Sequence, residues 1–347
     1  MNGLGTRSAE SVGLTGRPAR PPPQLLSVAA WYSSGVFLSI TNKHLMLYHG
    51  FKFPIALTFV HMVMCALLSN VAVVQFRLVE REALRSRDHF RRVCVLAAVF
   101  AGTVLMGNWS LKYVHVSFTL MVGATTPFFT AALAYLLQRR TQAPLVYAAL
   151  VPVIGGSVLA AYGEVNFHLL GYLLALGATV ARAFKSLLQG ELLQSPEDKL
   201  HSQNLLRFMC PIAAGLLFVP ALAVEGRALH RWVQEVGPKG LAAFLPLFGA
   251  NVLCAYGVNL ANFLVTRFLG PLTLQVLGQA KGVVTTSVAV VFFGNAVSAL
   301  AWVGYTITLS GVSLYIAAQH GKARLSPAWP CVGRLGPRRY AKVGGPA

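Results

Sequence analysis

One lysine, Lys281, lies near the centre of a long apolar run and has no acidic residue within the 40 preceding positions. An ionisable side chain in the middle of a membrane span costs at least about 2.5–3.5 kcal/mol on insertion scales, so its presence needs a reason. A lysine satisfied by carbonyl groups or by an acid from another span is one explanation. An unpaired ammonium in a cavity would instead bind an anionic substrate, and we favour this assignment for Lys281.

Three further cations occur inside apolar runs. Arg182 and Lys185 are three residues apart and therefore share one face of a helix. Both lie nearer the end of their run, where a long side chain can extend to the interface. Lys43 also lies near a helix end, so it is as well explained as an interface anchor. We treat all three as candidates for substrate or gate contacts.

Uncharged polar residues in the apolar runs form a second group of candidates. Thr125 and Thr126 precede Pro127, which lacks an amide and frees a carbonyl in its helix. Tyr256 and Asn259 are spaced for one helix face, and Asn108 lies at the end of its run. Helix–helix hydrogen bonding explains any single one of them equally well. His61 is better explained as a packing histidine than as a proton relay.

The composition identifies the elements that carry these residues. Of 347 residues 55% are hydrophobic and 11% are charged, less than half of the roughly 25% in a soluble domain. Apolar stretches of about 20 residues, the length of a transmembrane helix, recur ten times. They cover roughly 27–48, 53–75, 93–112, 116–137, 145–162, 168–190, 205–224, 240–266, 272–293 and 298–318. We therefore predict an all-α membrane protein with ten transmembrane helices.

The net charge of +19 is distributed unevenly between the two sides of the predicted membrane domain. With ten spans, 20 of the 29 Lys and Arg residues lie on the side of both termini, and five lie on the opposite side. Cytoplasmic loops collect Lys and Arg, so both termini are predicted to be cytosolic. The charge needs no nucleic-acid partner. The ends, 1–26 and 319–347, are rich in Pro, Gly and Arg and are predicted to be disordered.

The two halves of the chain, about 27–163 and 168–318, resemble each other weakly. Val116–Val122 matches Gly270–Val276, and Gly155–Leu159 matches Ser310–Leu314. Five spans per half would insert the second half upside down. Two inverted five-helix repeats are the plan of many secondary transporters, whose substrate site lies near the midplane. We also predict a surface helix in the charged link 76–92.

No motif for catalysis, for a metal or for a cofactor occurs. The sequence has no Gly-rich phosphate loop, no HExxH and no GxSxG, and its five cysteines form no CxxC pair. We therefore predict a protein that is not an enzyme and that binds neither metal nor cofactor.

Several motifs, in order along the chain, resemble the triose-phosphate translocator family. They are GNWSLKYVHVSF at 107–118, PFFT at 127–130, RAFKSLLQG at 182–190 and LTLQVLGQAKG at 272–282. The resemblance covers about 28–318. This family belongs with the nucleotide-sugar transporters (solute carrier family 35) in the drug/metabolite transporter superfamily.

The resemblance implies ten helices in two inverted halves, alternating access, and exchange of an organic phosphate for phosphate or a nucleoside monophosphate. Plastid members carry Lys-Arg in the ninth span, whereas this sequence has Lys281-Gly282. It is more similar to the subgroup named for Lys followed by Val, Ala or Gly, which includes Golgi carriers of UDP-sugars. The resemblance implies that Lys281, and less directly Lys185, binds the substrate.

We therefore predict an antiporter that exchanges a nucleotide sugar, preferably a UDP-sugar, for a nucleoside monophosphate across the Golgi membrane. A sugar-phosphate/phosphate translocator is the alternative within transport. A non-transporting scaffold or receptor is the alternative outside it, and a membrane-embedded enzyme is a weaker third alternative because the sequence offers no acid/base pair. The endoplasmic reticulum and the plastid envelope are alternative locations, and a homodimer is compatible with the sequence.

Overall fold

The structure, a computed structural model, describes residues 22–114, 116–160, 168–195, 199–293 and 298–325. These residues form helices and short connections. The α-helices are α1 (Pro23–Tyr48), α2 (Pro54–Asn70), α3 (Arg87–Ser110), α4 (Val116–Ala124), α5 (Thr126–Gln138), α6 (Pro144–Ala160), α7 (Leu169–Gln194), α8 (Ser202–Pro220), α9 (Gly226–Leu269), α10 (Pro271–Phe293) and α11 (Ala299–Leu325). Single π-helical turns, Val71–Gln75 and Ala221–Glu225, follow α2 and α8.

Six helical segments are long and apolar enough to cross a membrane. They are Pro54–Gln75, Arg87–Ser110, Phe118–Gln138, Ser202–Leu269, Pro271–Phe292 and Ala299–Gln319, with Pro144–Ala160 as a shorter apolar helix. The fourth has 68 residues, about three times the length that one crossing requires. α1 and α7 have 26 residues each, which is also long enough for one crossing.

Proline and glycine set many of the helix boundaries. Pro23 and Pro54 stand in the first turn of α1 and α2, where the missing amide removes no helical hydrogen bond. Within α9, Gly237 has φ 63° and ψ 177°, a non-helical conformation that glycine adopts readily and other residues rarely do. Pro238 follows it. α9 therefore consists of two helical parts, 226–236 and 238–269.

The helices pack in pairs around an apolar interior. The most extensive contacts join α6 to α11, α1 to α9, α3 to α7 and α2 to α8. α6 and α11 approach most closely, because a Cβ atom on Gly156 would lie 2.5 Å from the Thr308 amide nitrogen. Small residues at such a contact let two helix backbones meet directly.

The surface helix predicted for 76–92 is wrong over most of its length. Residues 76–86 are irregular, and only the last six residues of the link belong to α3. The link is bound to the start of α8 instead. The Glu82 carboxylate accepts a hydrogen bond from the His201 amide at 2.7 Å, and the Glu80 carbonyl accepts one from Asn204 at 2.9 Å.

The predicted tails overlap the ends of the helical region. α1 begins at Pro23 and α11 continues to Leu325, so both helices extend into the segments expected to be disordered. The rest of the two predicted tails, 1–21 and 326–347, lies outside the described residues.

Candidate functional site

Lys281 projects from α10 toward α1 and packs against Trp31 and Gly35. Its Nζ atom lies 4.2 Å from the centroid of the Trp31 ring. A Cβ atom on Gly35 would lie 3.1 Å from the same Nζ, so this glycine is in direct contact with the ammonium. Lys281 is therefore directed into the bundle, as the sequence predicts for a functional lysine.

Lys185 and Arg182 extend from α7 into the same region. The Lys185 Nζ atom lies 5.5 Å from the centroid of the Phe100 ring on α3. The positive charges of Arg182 and Lys281 both act on the Lys185 ammonium. The structure thus brings together three of the four cations that the sequence singles out.

Arg182 lies against the α4 backbone, where a Cβ atom on Gly123 would be 3.5 Å from its guanidinium. The Arg182 residue is exposed, although it belongs to the long helix α7. Together with the contacts of Lys281 and Lys185, the contact with Gly123 places the three cations between α1, α3, α4, α7 and α10, and we call this region the cationic cavity.

These three cations have no carboxylate partner among the residues that the structure describes. No carboxylate oxygen lies within 4.0 Å of their nitrogen atoms. Aromatic faces, which stabilise a cation without neutralising it, are in contact with two of the three. The cationic cavity therefore holds a concentrated positive charge that a multiply charged anion can neutralise.

Thr125 and Thr126 lie at the junction of α4 and α5. Thr125 Oγ1 donates to the Val122 carbonyl at 2.6 Å, and Thr126 Oγ1 donates to the Gly123 carbonyl at 2.5 Å. Their hydroxyl groups thus bond to the α4 turn that Arg182 contacts. Thr125 also lines an apolar cavity of about 470 Å³ between α4, α5, α6 and α7.

That cavity and a second one, of about 490 Å³ between α3, α5 and α7, are bordered almost entirely by apolar side chains. Neither includes Lys281, Lys185 or Arg182. Apolar openings between membrane helices suit hydrocarbon better than a charged substrate. We therefore place the candidate site at the three cations and not at either of these two apolar cavities.

Two predicted site residues, Tyr256 and Asn259, are occupied by contacts within the protein. The Tyr256 hydroxyl and the Gln203 carboxamide are hydrogen bonded, with distances of 2.8 and 3.0 Å to the two amide atoms. Asn259 donates to the Ala255 carbonyl at 2.8 Å and contacts Cys65 Sγ at 3.7 Å. Both side chains join α9 to α2 and α8, away from the α1 face that Lys281 contacts.

Asn108 forms a hydrogen bond within its own helix, and Lys43 lies about two turns after Gly35 on α1. Asn108 donates to the Val104 carbonyl of its own helix at 2.9 Å. Lys43 lies eight residues after Gly35 on α1, which corresponds to about 12 Å along a helix axis. The sequence alone does not distinguish Asn108 and Lys43 from residues of the candidate site, because both also occur in apolar runs.

The structure also contains polar contacts that the sequence analysis missed. Gln189 donates to Asn262 at 3.0 Å and to Thr266 at 2.5 Å, and Gln275 donates to Ser186 at 2.5 Å. These pairs connect α7 to α9 and α10 beside Lys185. Their only signal in the sequence is the presence of amide side chains in apolar helices. The predicted packing role of His61 is confirmed, because its Nε2 atom lies 2.8 Å from Asn251 Oδ1.

Residues 24–316 match the model of the family described as "Triose-phosphate Transporter family". The chain belongs to this family. The triose-phosphate transporters are integral membrane proteins that carry small anions such as sugar phosphates and nucleotide sugars. The family resemblance inferred from the motifs is therefore confirmed.

Two relatives from Arabidopsis thaliana match nearly the whole helical region. A probable sugar phosphate/phosphate translocator is 46% identical over 292 residues, which cover 84% of this chain and 94% of the relative. UDP-uronic acid transporter 1 is 45% identical over 288 residues, which cover 83% and 93%. A solved crystal structure, described only as that of a protein, has the same fold with a TM-score of 0.66 at 16% identity. The match covers 86% of this chain and 97% of the chain in that crystal structure.

Proposed function

We propose that this member of the Triose-phosphate Transporter family is an antiporter that exchanges a nucleotide sugar, preferably a UDP-sugar, for a nucleoside monophosphate. The observation that carries the proposal is the cationic cavity, in which Lys281, Lys185 and Arg182 converge without a carboxylate partner in the described helices. Charge-assisted hydrogen bonds to phosphate are roughly twice as strong as neutral ones. The cavity would therefore favour phosphorylated over neutral sugars.

The number and arrangement of the cations favour a diphosphate over a monophosphate. Two of them belong to α7 and one to α10, and the charges of Arg182 and Lys281 both repel that of Lys185. A pyrophosphate group carries charge on two adjacent phosphorus centres and so can reach cations on both helices. The name of the UDP-uronic acid relative at 45% identity points to the same class of substrate.

We further propose ten membrane crossings in two inverted halves, with the substrate between them. In this scheme α1, α2, α3, α4–α5 and α6 correspond to α7, α8, the second part of α9, α10 and α11. The contact of α1 with α9 is then equivalent to the contact of α7 with α3. In the α2–α8 and α6–α11 contacts the two helices of each pair are equivalent to each other. These are the four most extensive contacts, which supports the scheme.

The Golgi membrane, with both termini in the cytosol, is the proposed location. The excess of Lys and Arg on the side of the termini supports this orientation. Tags at the two ends should both be removed by protease added outside sealed Golgi vesicles. Protection of one tag alone would contradict an even number of crossings and with it the inverted halves.

A sugar-phosphate/phosphate exchanger is the second candidate. It is favoured by the name of the relative that is 46% identical. Such an exchanger would carry a single phosphate against the same three cations and would require inorganic phosphate on the opposite side.

A counterflow screen separates the two candidates. Purified protein in liposomes preloaded with UMP, GMP, CMP or inorganic phosphate is offered radiolabelled nucleotide sugars and sugar phosphates. We expect uptake of a UDP-sugar against UMP and no uptake into liposomes without counter-substrate. Uptake of a sugar phosphate against phosphate alone would select the second candidate. No exchange of any pair would argue for a scaffold or receptor.

A further inference from the structure

The first helix of the described region forms a tightly fitted surface around Lys281. Trp31 and Gly35 are four residues apart on α1, so they lie on one face of the helix. Trp31 is 4% exposed, and the face of its ring lies 4.2 Å from Lys281 Nζ. Gly35 is buried against the same side chain.

Gly35 leaves just enough room for the lysine. A Cβ atom at this position would lie 3.1 Å from Nζ and 3.2 Å from Cδ of Lys281, closer than ordinary contacts between such atoms. An alanine at this position would therefore require the end of the Lys281 side chain to move by a few tenths of an ångström, and a larger residue would displace it further.

Trp31 stabilises the ammonium in a way that leaves it available to an anion. A cation over the face of an indole is attracted by the ring quadrupole, and this attraction is greatest for Trp and for desolvated sites. A carboxylate partner would neutralise the ammonium and compete with an anionic ligand. An indole does neither, because it carries no charge.

Tyr32 fixes the adjoining turn of α10. Its hydroxyl donates to the Leu277 carbonyl at 2.7 Å. In an α-helix the carbonyl of residue 277 also accepts the amide of residue 281, four positions later. The hydroxyl therefore holds the turn of helix that carries Lys281.

We propose that Trp31 and Gly35 are positioning residues that hold the Lys281 ammonium in the cationic cavity, ready for a phosphorylated ligand. The proposal deepens the proposed function and rests on it for the identity of the ligand. The contact itself involves protein atoms alone, so it is measured first without any transport assay.

The first experiment uses the intrinsic fluorescence of Trp31, since indole emission depends on nearby charge. Lys281→Met removes the charge and keeps the length of the side chain. It should shift the emission of the purified, ligand-free protein, and the shift should disappear when Trp31→Phe is already present. Lys185→Met, whose amine lies over Phe100, is the matched control and should leave the Trp31 contribution in place. An identical emission of Lys281→Met and wild type would overturn the contact.

The second experiment separates ligand binding from protein stability in the exchange assay. Gly35→Ala should raise KM for the phosphorylated substrate roughly tenfold or more, with a smaller change in maximal rate, because it moves a binding group. Trp31→Leu should behave similarly, and Trp31→Phe should recover part of the loss since it restores an aromatic face. Gly257→Ala is the control for an added methyl group beside α1, because its nearest neighbour, Ser34 Cβ, would lie at an ordinary 4.0 Å.

The two experiments distinguish failure of this inference from failure of the proposed function. A fluorescence shift in a protein that exchanges no phosphorylated compound supports the contact while the transport proposal fails. Active exchange with an unchanged KM in both Gly35→Ala and Trp31→Leu overturns the positioning role. Equal losses in Trp31→Leu and Trp31→Phe would also overturn it, because they would leave the aromatic face without effect.

Discussion

Asn251 Oδ1 lies 2.8 Å from His61 Nε2, and this contact joins α9 to α2 inside the bundle. The amide nitrogen of Asn251 also donates to Thr41 and to Asn42, each at 2.7 Å. A single fully buried side chain therefore connects α1, α2 and α9. It fixes the position of α1, the helix that contacts Lys281.

Replacement of Asn251 by Leu should destabilise the protein. It would leave the buried His61 ring nitrogen without its partner, at a cost of about 1–3 kcal/mol for an unsatisfied buried group. Thr41, in contrast, keeps its bonds to the Phe37 and Leu38 carbonyls. We expect a lower midpoint of thermal unfolding in detergent. Leu253→Ala, two positions away at a residue that is 54% exposed, is the control. Equal midpoints for the two variants would contradict a structural role for this network.

The three cations of the cavity should contribute unequally to exchange. Lys281→Ala should abolish exchange while the protein still inserts, because removal of an unpaired buried charge lowers the cost of insertion. Lys281→Arg should also be severely impaired, since a forked guanidinium does not replace a compact ammonium beside Trp31. Lys185→Ala should lose less, because Arg182 remains on the same helix face.

Exchange is measured in liposomes at matched protein amounts. Lys239→Ala, which removes an exposed cation at the break in α9, is the control and should keep the wild-type rate. A wild-type rate in Lys281→Ala would show that this lysine is structural, and the assignment of the substrate site would have to be abandoned.

Much of the helical pattern is predictable from the sequence, because about 20 apolar residues have few alternatives to a helix in a membrane. Each of the ten predicted apolar stretches coincides with one or two of the observed helices. The link 76–86 was mispredicted because its charge pattern suits a surface helix. Its structure is decided by Glu82 and Asn204, which are distant in sequence.

The candidate site is predictable in part for a similar reason. A charge in an apolar run is visible in the sequence, so Lys281, Lys185 and Arg182 could be identified. The partners of a polar residue are not visible, because they depend on how helices far apart in the chain meet. The sequence therefore does not distinguish Tyr256 from the central residues, although its hydroxyl is hydrogen bonded to Gln203. Nothing in the sequence distinguishes Trp31 and Gly35 from the other residues of α1 as contacts of Lys281.

Glu225 should stabilise the start of α2. Its two carboxylate oxygens accept hydrogen bonds from the Ile55 and Ala56 amides at 3.1 and 2.8 Å, which would otherwise lack helical partners. Negative charge at a helix N-terminus is also favoured by the helix dipole. Glu225→Ala should lower stability by about 1–2 kcal/mol, the usual effect of losing a helix cap. Glu235→Ala, at an exposed acid, is the control in the same unfolding assay; no difference between them would refute the cap.

Two adjacent glycines on α6 provide the sharpest test of the helix packing. At Gly156 a Cβ atom would lie 2.5 Å from the Thr308 amide and 2.6 Å from the Gly304 carbonyl, both of which are backbone groups of α11. The helices would have to separate to admit it, because backbone cannot rotate away as a side chain can.

At Gly155 a Cβ atom would meet nothing within 4 Å. Gly156→Ala should therefore lower the unfolding midpoint by several degrees and reduce the yield of folded protein, consistent with the roughly 1–3 kcal/mol cost of overpacking. Gly155→Ala should leave stability unchanged or raise it slightly, since alanine is the better helix former. Both variants have the same composition and differ by one helical position, so a difference between them reports the α6–α11 contact. Equal stability of the two would mean that these helices do not meet at Gly156.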